Sequence, residues 1–290
     1  MLLLKGRQQL QDAFLEESFF ELAHTTFGID LAQWAELGYW DDHYIPYVFM
    51  FNNEVIANVS VSIATMILDS KPRKAAQIGT VMTRTGYEKK GLIRRLLQAV
   101  LDDFTHVEIL YLFANEGAVE LYPKFGFEKR SQVKYSLQVA DLYLRPAEVK
   151  KLDMQDAKAR ELLFETVIHR MPVSLKLGIL QNEAIVMFHA LTTYKDCMYY
   201  VPSLQTIVIA KEEGETMHIV DIIAKRPMNV LEVLEQLPIT GNTVELGFTP
   251  DELAVTGKQT PLIEKNILFV KLQSDEDYPE HRRLPLTAKA

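Results

Sequence analysis

The sequence predicts an α/β protein of the mixed-sheet, α+β kind, arranged in two units, and three observations carry that prediction. The chain has 290 residues, beyond the ~250 at which one hydrophobic core usually stops growing. Leu92, Ile93, Leu96, Leu97, Val100, Leu101 and Phe104 form one continuous helical face, and the apolar run Val107–Ala114 follows directly. A run of that length, apolar but for Glu108, is expected of a strand buried on both faces. Finally, the order of elements in the first 140 residues recurs in the remainder.

Taken in order, the short apolar stretch Leu2–Leu4 leads into a helix from about Gln8 to Thr25. Gly28 breaks it, and a shorter helical piece spans Leu31–Leu37. Tyr44–Met66 is expected to be a hairpin, because two β-branched and aromatic runs flank the turn residues Asn52 and Asn53. A strand at Ala76–Thr83 ends in a polar loop, and the helix beginning near Leu92 follows. The strand Val107–Ala114, a short helix from Gly117 to about Lys124 and a strand at Gln132–Val139 complete the first unit, residues 1–140.

In residues 141–290 a short strand at Leu142–Leu144 precedes helices near Gln155–Arg170 and Asn182–Leu191. Strands are expected at Met198–Val201, Thr206–Ala210 and Met217–Ala224, with Glu212–Glu215 as a turn. Asn229 is placed to cap a helix over Val230–Leu237, and strands at Thr243–Gly247 and Ile267–Leu272 end the unit. The shared order is strand, two helices, three strands, helix, strand. A divergent internal duplication and a coincidence of order are equally compatible with it.

Composition narrows the function classes. Hydrophobic residues make up 48% and charged residues 24%, the balance of a soluble globular protein. The net charge of −8 argues against broad electrostatic binding to nucleic acid or an anionic membrane. Cys197 is the single cysteine, so no intramolecular disulfide is possible, and its apolar neighbours Met198–Val201 favour a buried structural thiol over a nucleophile. The Met1–Leu4 run is too short for a secretory signal, and no stretch reaches the ~20 apolar residues of a membrane span. A cytoplasmic location is the expectation. No His-x-x-x-His or Cys-x-x-Cys pair occurs, so no metal is expected.

The segment between Val81 and Leu97 reverses the sign of the chain. Arg84, Lys89, Lys90, Arg94 and Arg95 surround the turn before the amphipathic helix, against the single acid Glu88. The first turn of a helix leaves backbone N–H groups unpaired and carries partial positive charge. A glycine such as Gly91 at that turn lets an anion approach the backbone. A polyphosphate site and an ordinary helix start with a solvated basic rim both fit this segment alone. The P-loop pattern is absent.

Here the sequence resembles the GNAT superfamily of acetyl-CoA-dependent N-acetyltransferases. Glu88-Lys89-Lys90-Gly91-Leu92-Ile93 is similar to the family's cofactor loop, with Glu88 in place of a basic or amide residue and Ile93 in place of a small one. Asn115-Glu116-Gly117-Ala118-Val119-Glu120-Leu121-Tyr122-Pro123-Lys124-Phe125-Gly126-Phe127 resembles its second motif in register at asparagine, alanine, tyrosine, glycine and phenylalanine. The resemblance covers about residues 1–140 and implies a GNAT-like first domain, with a second, degenerate GNAT-like unit after it. It also implies acetyl-CoA as cosubstrate and an amine of a small molecule or peptide as acceptor. Backbone groups of Val81, Met82 and Thr83 would pair with the pantetheine arm, and the amides of Glu88, Lys89, Lys90, Gly91, Leu92 and Ile93 would hold the pyrophosphate. Asn115 would contact the arm, and Tyr122 would be the general acid. Packing of Tyr122 beside Phe125 and Phe127, and capping by Asn115, are the alternative roles. Asp41, Asp42 and His43, just before the hairpin, are acceptor-site or base candidates against a plain solvated loop. The corresponding segment of the second half, Lys225-Arg226-Pro227-Met228-Asn229, has no glycine, so cofactor binding is expected to be absent there. A non-catalytic acetyl-CoA-binding or interaction module is the rival reading.

Overall fold

The computed structural model describes residues 1–10, 12–251, 258–273 and 277–289. Its strands, in chain order, are β1 (Leu2–Lys5), β2 (Tyr44–Phe51), β3 (Glu54–Leu68), β4 (Lys71–Thr83), β5 (Ile109–Ala114), β6 (Glu128–Lys129), β7 (Val133–Gln138), β8 (Lys150–Lys151), β9 (Leu177–Leu180), β10 (Met198–Val201), β11 (Thr206–Glu213), β12 (Thr216–Ala224), β13 (Thr243–Leu246), β14 (Lys258–Pro261) and β15 (Ile267–Leu272). The helices are α1 (Ala13–Phe27), α2 (Ala32–Glu36), α3 (Leu92–Asp103), α4 (Ala157–Val167), α5 (Glu183–Leu191) and α6 (Val230–Gln236). Among the described residues, no helix is long and apolar enough to cross a membrane.

Two mixed sheets organise the chain. The first runs β1-β2-β3-β4-β5-β15-β6, with β9 added to the far end of β3, and the second runs β8-β10-β11-β12-β13-β7-β14. Each is antiparallel except for one parallel pair, β4 with β5 and β12 with β13. The two sheets therefore repeat one plan.

That plan corrects the reading of two strands. The strand expected to complete the first unit, β7, pairs instead with β13 and β14 in the second sheet. The strand expected to end the second unit, β15, lies between β5 and β6 in the first. Each half lends its last strand to the other. Val133, Tyr135 and Leu137 of β7 alternate inward and pack with Val208, Ile219 and Phe248. On β15, Leu268 and Val270 face Tyr111 and Leu284, while Phe269 faces Tyr122 and Phe127. Both slots accept a short apolar strand beside an apolar neighbour, so local pattern does not specify which sheet receives it.

Smaller differences follow from local chemistry. Leu142–Leu144 is not a strand, and the edge of the second sheet is the lysine pair of β8, the kind of charged, short edge that resists further pairing. The helix expected from Gln8 starts at Ala13, where Asp12 accepts a hydrogen bond from the Phe14 amide at 2.9 Å and caps it. The short helix at Gly117–Lys124 is a pair of 3-10 turns, Glu116–Ala118 and Tyr122–Phe125. Strands β6, β8, β9 and β14 have no counterpart in the sequence reading. Cys197 is half-buried, and burial pushes its thiol pKa up.

Helices from both halves fill the space between the sheets. Phe19 of α1 and Trp34 of α2 share one core with Leu163 of α4, Met187 of α5, and Ile207 and Ile223 of the second sheet. The Trp34 indole N–H donates to the Ala184 carbonyl at 2.8 Å, so the buried ring is satisfied. On the other side, α3 lays Leu92, Leu96, Leu97 and Val100 against the first sheet. Each such side chain contributes roughly 1.5–3 kcal/mol by leaving water, and together they hold the start of α3 at the end of β4.

Candidate active site

The loop between β4 and α3 is shaped by three left-handed residues, Gly86 (φ 87°), Lys89 (φ 60°) and Gly91 (φ 73°). Gly91 is the N-cap of α3 and, having no side chain, leaves the first-turn amides without a side-chain cap. A concavity of about 450 Å³ opens there, lined by Thr83, Tyr87, Lys89, Gly91, Leu92, Ile93, Arg94 and Leu121. Glu88 does not compete for the helix terminus, because its carboxylate accepts a hydrogen bond from the Gly86 amide at 2.6 Å. Ile93 is half-buried against the core of the first sheet.

The basic rim is smaller than its sequence suggests. Arg84 turns toward α1, where its guanidinium donates to the Val55 carbonyl at 2.9 Å and to Ser18 Oγ at 3.0 Å, and pairs with Glu21 at 2.9 Å. Lys90 lies over the Tyr87 ring at 4.6 Å and Arg95 over the Phe49 ring at 4.7 Å. Lys89 and Arg94 are the cations that line the concavity.

Beyond it, β4 and β5 part. Their parallel pairing ends at Ile78 and Leu112, although β4 continues to Thr83 and β5 to Ala114. A bulge marks the divergence: Asn58 pairs with Met82 and Ser60 with Gly79, so Val59 faces both Thr80 and Val81. Thr80 sits at φ 48°, a conformation that costs a β-branched residue about 1–3 kcal/mol. The amide of buried Asn58 holds it by donating to the Thr80 carbonyl at 2.7 Å, and the Tyr44 hydroxyl bonds Thr80 Oγ1 at 2.9 Å. Bulges of this kind re-aim backbone groups beside functional sites.

The parted strands enclose a cavity of about 430 Å³. Val81, Asn115 and Tyr122 line it together, and Thr83, two residues along from Val81, lines the neighbouring concavity. Met82 faces the other way, buried in the inter-sheet core; only its backbone is available to the cleft side. Asn115 precedes the first 3-10 turn without capping it. Tyr122 is 4% exposed, with its ring 6.2 Å from Phe127 and 6.0 Å from Phe269. Burial pushes its phenol pKa up to about 12. Its ring is thus both packed and in reach of the cavity.

The opposite wall comes from residues that sequence reasoning missed. Phe27 ends α1 and Ile29 follows it, Phe188 and His189 belong to α5, and Thr193, Asn266 and Lys289 complete it. His189 Nε2 lies 2.6 Å from the Lys289 carbonyl. Burial lowers its imidazole pKa, opposed by that backbone bond, so the ring is neutral at pH 7, with Nε2–H donating and Nδ1 an acceptor that finds no hydrogen-bond partner among the described residues. The Lys289 ammonium pairs with Glu264 at 2.6 Å. No signal in a single sequence marks these positions, of which Phe188, His189, Thr193, Asn266 and Lys289 are brought to the cleft from the second half. Asp41 and Asp42 are elsewhere, beside Lys5–Gln8, and His43 Nδ1 lies 3.3 Å from Asp41; none of the three lines the cavity.

The equivalent position in the second sheet is closed. Asn229 Oδ1 accepts from the Leu231 and Glu232 amides at 2.9 and 3.3 Å, so protein occupies the amides that α3 leaves open, and Glu232 adds negative charge in the same turn.

Residues 8–127 match the model of the acetyltransferase (GNAT) family. The whole chain is similar in fold to a probable N-acyltransferase from Enterococcus faecalis, with TM-score 0.61, 15% identity, and coverage of 94% of this chain and 73% of that one. It is similar to Eis1 from Mycobacterium abscessus, with TM-score 0.58, 15% identity, and coverage of 94% and 74%. A GCN5-related N-acetyltransferase from Kribbella flavida gives TM-score 0.55 at 15% identity, with coverage of 94% and 72%. No curated protein matches at the level of sequence.

Proposed function

Taking as premise that residues 8–127 are a GNAT-family acetyltransferase domain, we propose that the protein is an acetyl-CoA-dependent N-acetyltransferase acting on a primary amine of a small molecule or peptide. The observation that carries this reading is the alignment of three features along one strand edge: the uncapped start of α3, the bulged end of β4, and the Tyr122 phenol in the same cleft as Val81 and Asn115. In this reading the unit built from residues 1–140 binds the cosubstrate. Residues 141–290 form a degenerate second unit without a cofactor loop that supplies the far wall of the cleft.

Bound acetyl-CoA would supply an activated thioester. The amides of Glu88–Ile93 hold its diphosphate, with Lys89 and Arg94 adding charge. One helix terminus contributes only ~0.3–1 kcal/mol at an exposed site, so the several amides and the two cations act jointly. The backbone of Val81, Met82 and Thr83 takes the pantetheine arm as an added strand would, and Asn115 holds it from the β5 side. The acceptor nitrogen attacks the thioester carbon, the carbon–sulfur bond breaks, and the sulfur leaves with a proton.

Two proton transfers decide the rate. An alkylamine of pKa ~10.4 is mostly protonated at pH 7, and presenting it neutral costs about 4–5 kcal/mol. Tyr122 stands ready to assist the sulfur. With a pKa of about 12 against ~8.5 for a thiol, complete proton transfer is uphill by about 5 kcal/mol in water-referenced terms. The same desolvation raises the thiol, so the mismatch inside the cleft is smaller. Tyr122 therefore acts chiefly as a hydrogen-bond donor to the developing thiolate, its phenol protonated around neutral pH.

Calorimetric titration of CoA and acetyl-CoA tests the binding half, with one site per chain expected because Asn229 closes the second. Release of free thiol across an amine panel tests transfer. Binding without turnover on any amine would favour a non-catalytic acetyl-CoA-binding module.

A further inference from the structure

The wall opposite Tyr122 has a chemistry of its own. Among the described residues, none that lines the cavity carries a carboxylate, whereas Phe27, Phe113 and Phe188 give it an aromatic surface and Lys289 a cation. The Lys289 ammonium lies 4.7 Å from the centroid of the Phe113 ring. Behind it, Glu264 is shared: it pairs with Lys289 at 2.6 Å and with Arg283 at 3.5 Å. Arg283 in turn pairs with Glu245 at 3.0 Å, and Glu245 also takes Lys134 and faces His218 at 3.5 Å. Among the described residues, three cations, Lys289, Arg283 and Lys134, thus share two carboxylates, Glu264 and Glu245, one too few to pair them all.

A polycationic acceptor is poorly served by such a wall. It would bring ammonium groups to a cavity whose described lining offers no carboxylate to pair them, with the Lys289 ammonium nearby, and unpaired charge in a desolvated site is costly. An acceptor with an apolar or aromatic body and an anionic group meets the aromatic surface and the excess charge together. The same cation disfavours a protonated amine beside it, lowering the amine's pKa toward the reactive neutral form.

We infer that Lys289 is an anion anchor, and that the acceptor is a small amine with an apolar or aromatic body and a carboxylate, of the amino-acid kind, held between Lys289 and the Phe27, Phe113 and Phe188 rings. This rests on the acetyl-transfer reading for the amine, though the carboxylate site itself is testable without turnover.

The experiment titrates the full chain, loaded with CoA, with 3-phenylpropionate, and with 3-phenylpropanamide as the neutral control. The carboxylate should bind the wild type at least tenfold more tightly than the amide. Lys289→Met should erase that preference, Lys289→Arg should keep most of it, and Glu264→Gln, which frees Lys289 from its partner, should tighten carboxylate binding several-fold. Equal binding of acid and amide by the wild type, or an unchanged preference in Lys289→Met, would overturn the anchor. In turnover, phenylalanine should be preferred to phenethylamine by the wild type and lose its advantage in Lys289→Met, and spermidine should be a poor acceptor; a preference for spermidine would also overturn it. If no amine releases thiol while the carboxylate preference persists and depends on Lys289, the transfer reading fails and the anchor stands.

Discussion

Replacing Tyr122 with phenylalanine isolates one oxygen atom. The ring is 4% exposed and packs against Phe127 and Phe269, and phenylalanine preserves both contacts, so the melting temperature should change by less than about 3 °C, the shift expected from well under 1 kcal/mol in a chain of this size. The effect on rate should be much larger. A placed acid contributes roughly 10²–10⁴. With a phenol held at about 12, well above the leaving thiol, Tyr122 belongs at the lower end. A loss of about 100-fold in kcat is expected, equivalent to about 3 kcal/mol, with the KM for acetyl-CoA moving less than about threefold. Steady-state thiol release with the best acceptor from an amine panel measures both. A further arm separates chemistry from packing: an acetyl thioester of an aryl thiol, whose thiolate leaves more readily, should shrink the defect. Because burial keeps the phenol protonated, wild type and variant should share one pH profile, rising as the acceptor amine deprotonates, with no limb from Tyr122 below pH ~11. An unchanged kcat, or a defect that is the same for alkyl and aryl thioesters, would remove Tyr122 from proton management at sulfur.

The remaining expectations concern the loop, a buried ion pair and a titrating wall. Gly91→Ala places a Cβ at φ 73°, costing about 1–2 kcal/mol of backbone strain, and CoA affinity by calorimetry should fall five- to thirtyfold while Tyr122 chemistry on saturated enzyme is retained. Arg170 donates to both Asp221 oxygens at 2.9 and 2.8 Å, and Thr287 donates to the same carboxylate at 2.5 Å. Arg170→Met strands that fully buried carboxylate and should cost about 3–5 kcal/mol in chemical denaturation. His189 has a folded pKa below its unfolded value of ~6.5, so its contribution is complete above pH 6.5 and is lost as pH falls through the folded pKa. Stability measured from pH 7.5 to 5 should therefore decline more steeply in the wild type than in His189→Asn, and parallel slopes would refute the assignment.

Legibility in the sequence followed the range of the interactions. The α3 face, the Gly91 turn, and Asn115 and Tyr122 around the 3-10 turns are set by neighbours within a few residues, where helix period, glycine conformation and capping operate, and they were readable in order. Arg84 looked like part of the same rim, yet its destination depends on Ser18 and Glu21 of α1, far away in the chain. Val133–Gln138 and Ile267–Leu272 were readable as strands but not as an exchanged pair, because a period-2 apolar pattern fixes which face is buried and leaves the choice of neighbour open. The cavity wall was furthest out of reach. Phe188, His189 and Lys289 meet Tyr122 only after the second sheet has docked through the shared core of α1, α2, α4 and α5.

By itself, then, the sequence determined the local devices: the strand that breaks into a left-handed loop, the helix whose first amides stay open, and the phenol that follows the next strand. Tertiary structure alone decided what those devices confront, since the β4–β5 separation, the bulge at Thr80 and the cationic, aromatic wall each require chain segments far apart in sequence to pack together. Hydrogen bonds of a turn close over a few residues, whereas the composition of a cleft is set by whichever distant surfaces bury each other most completely.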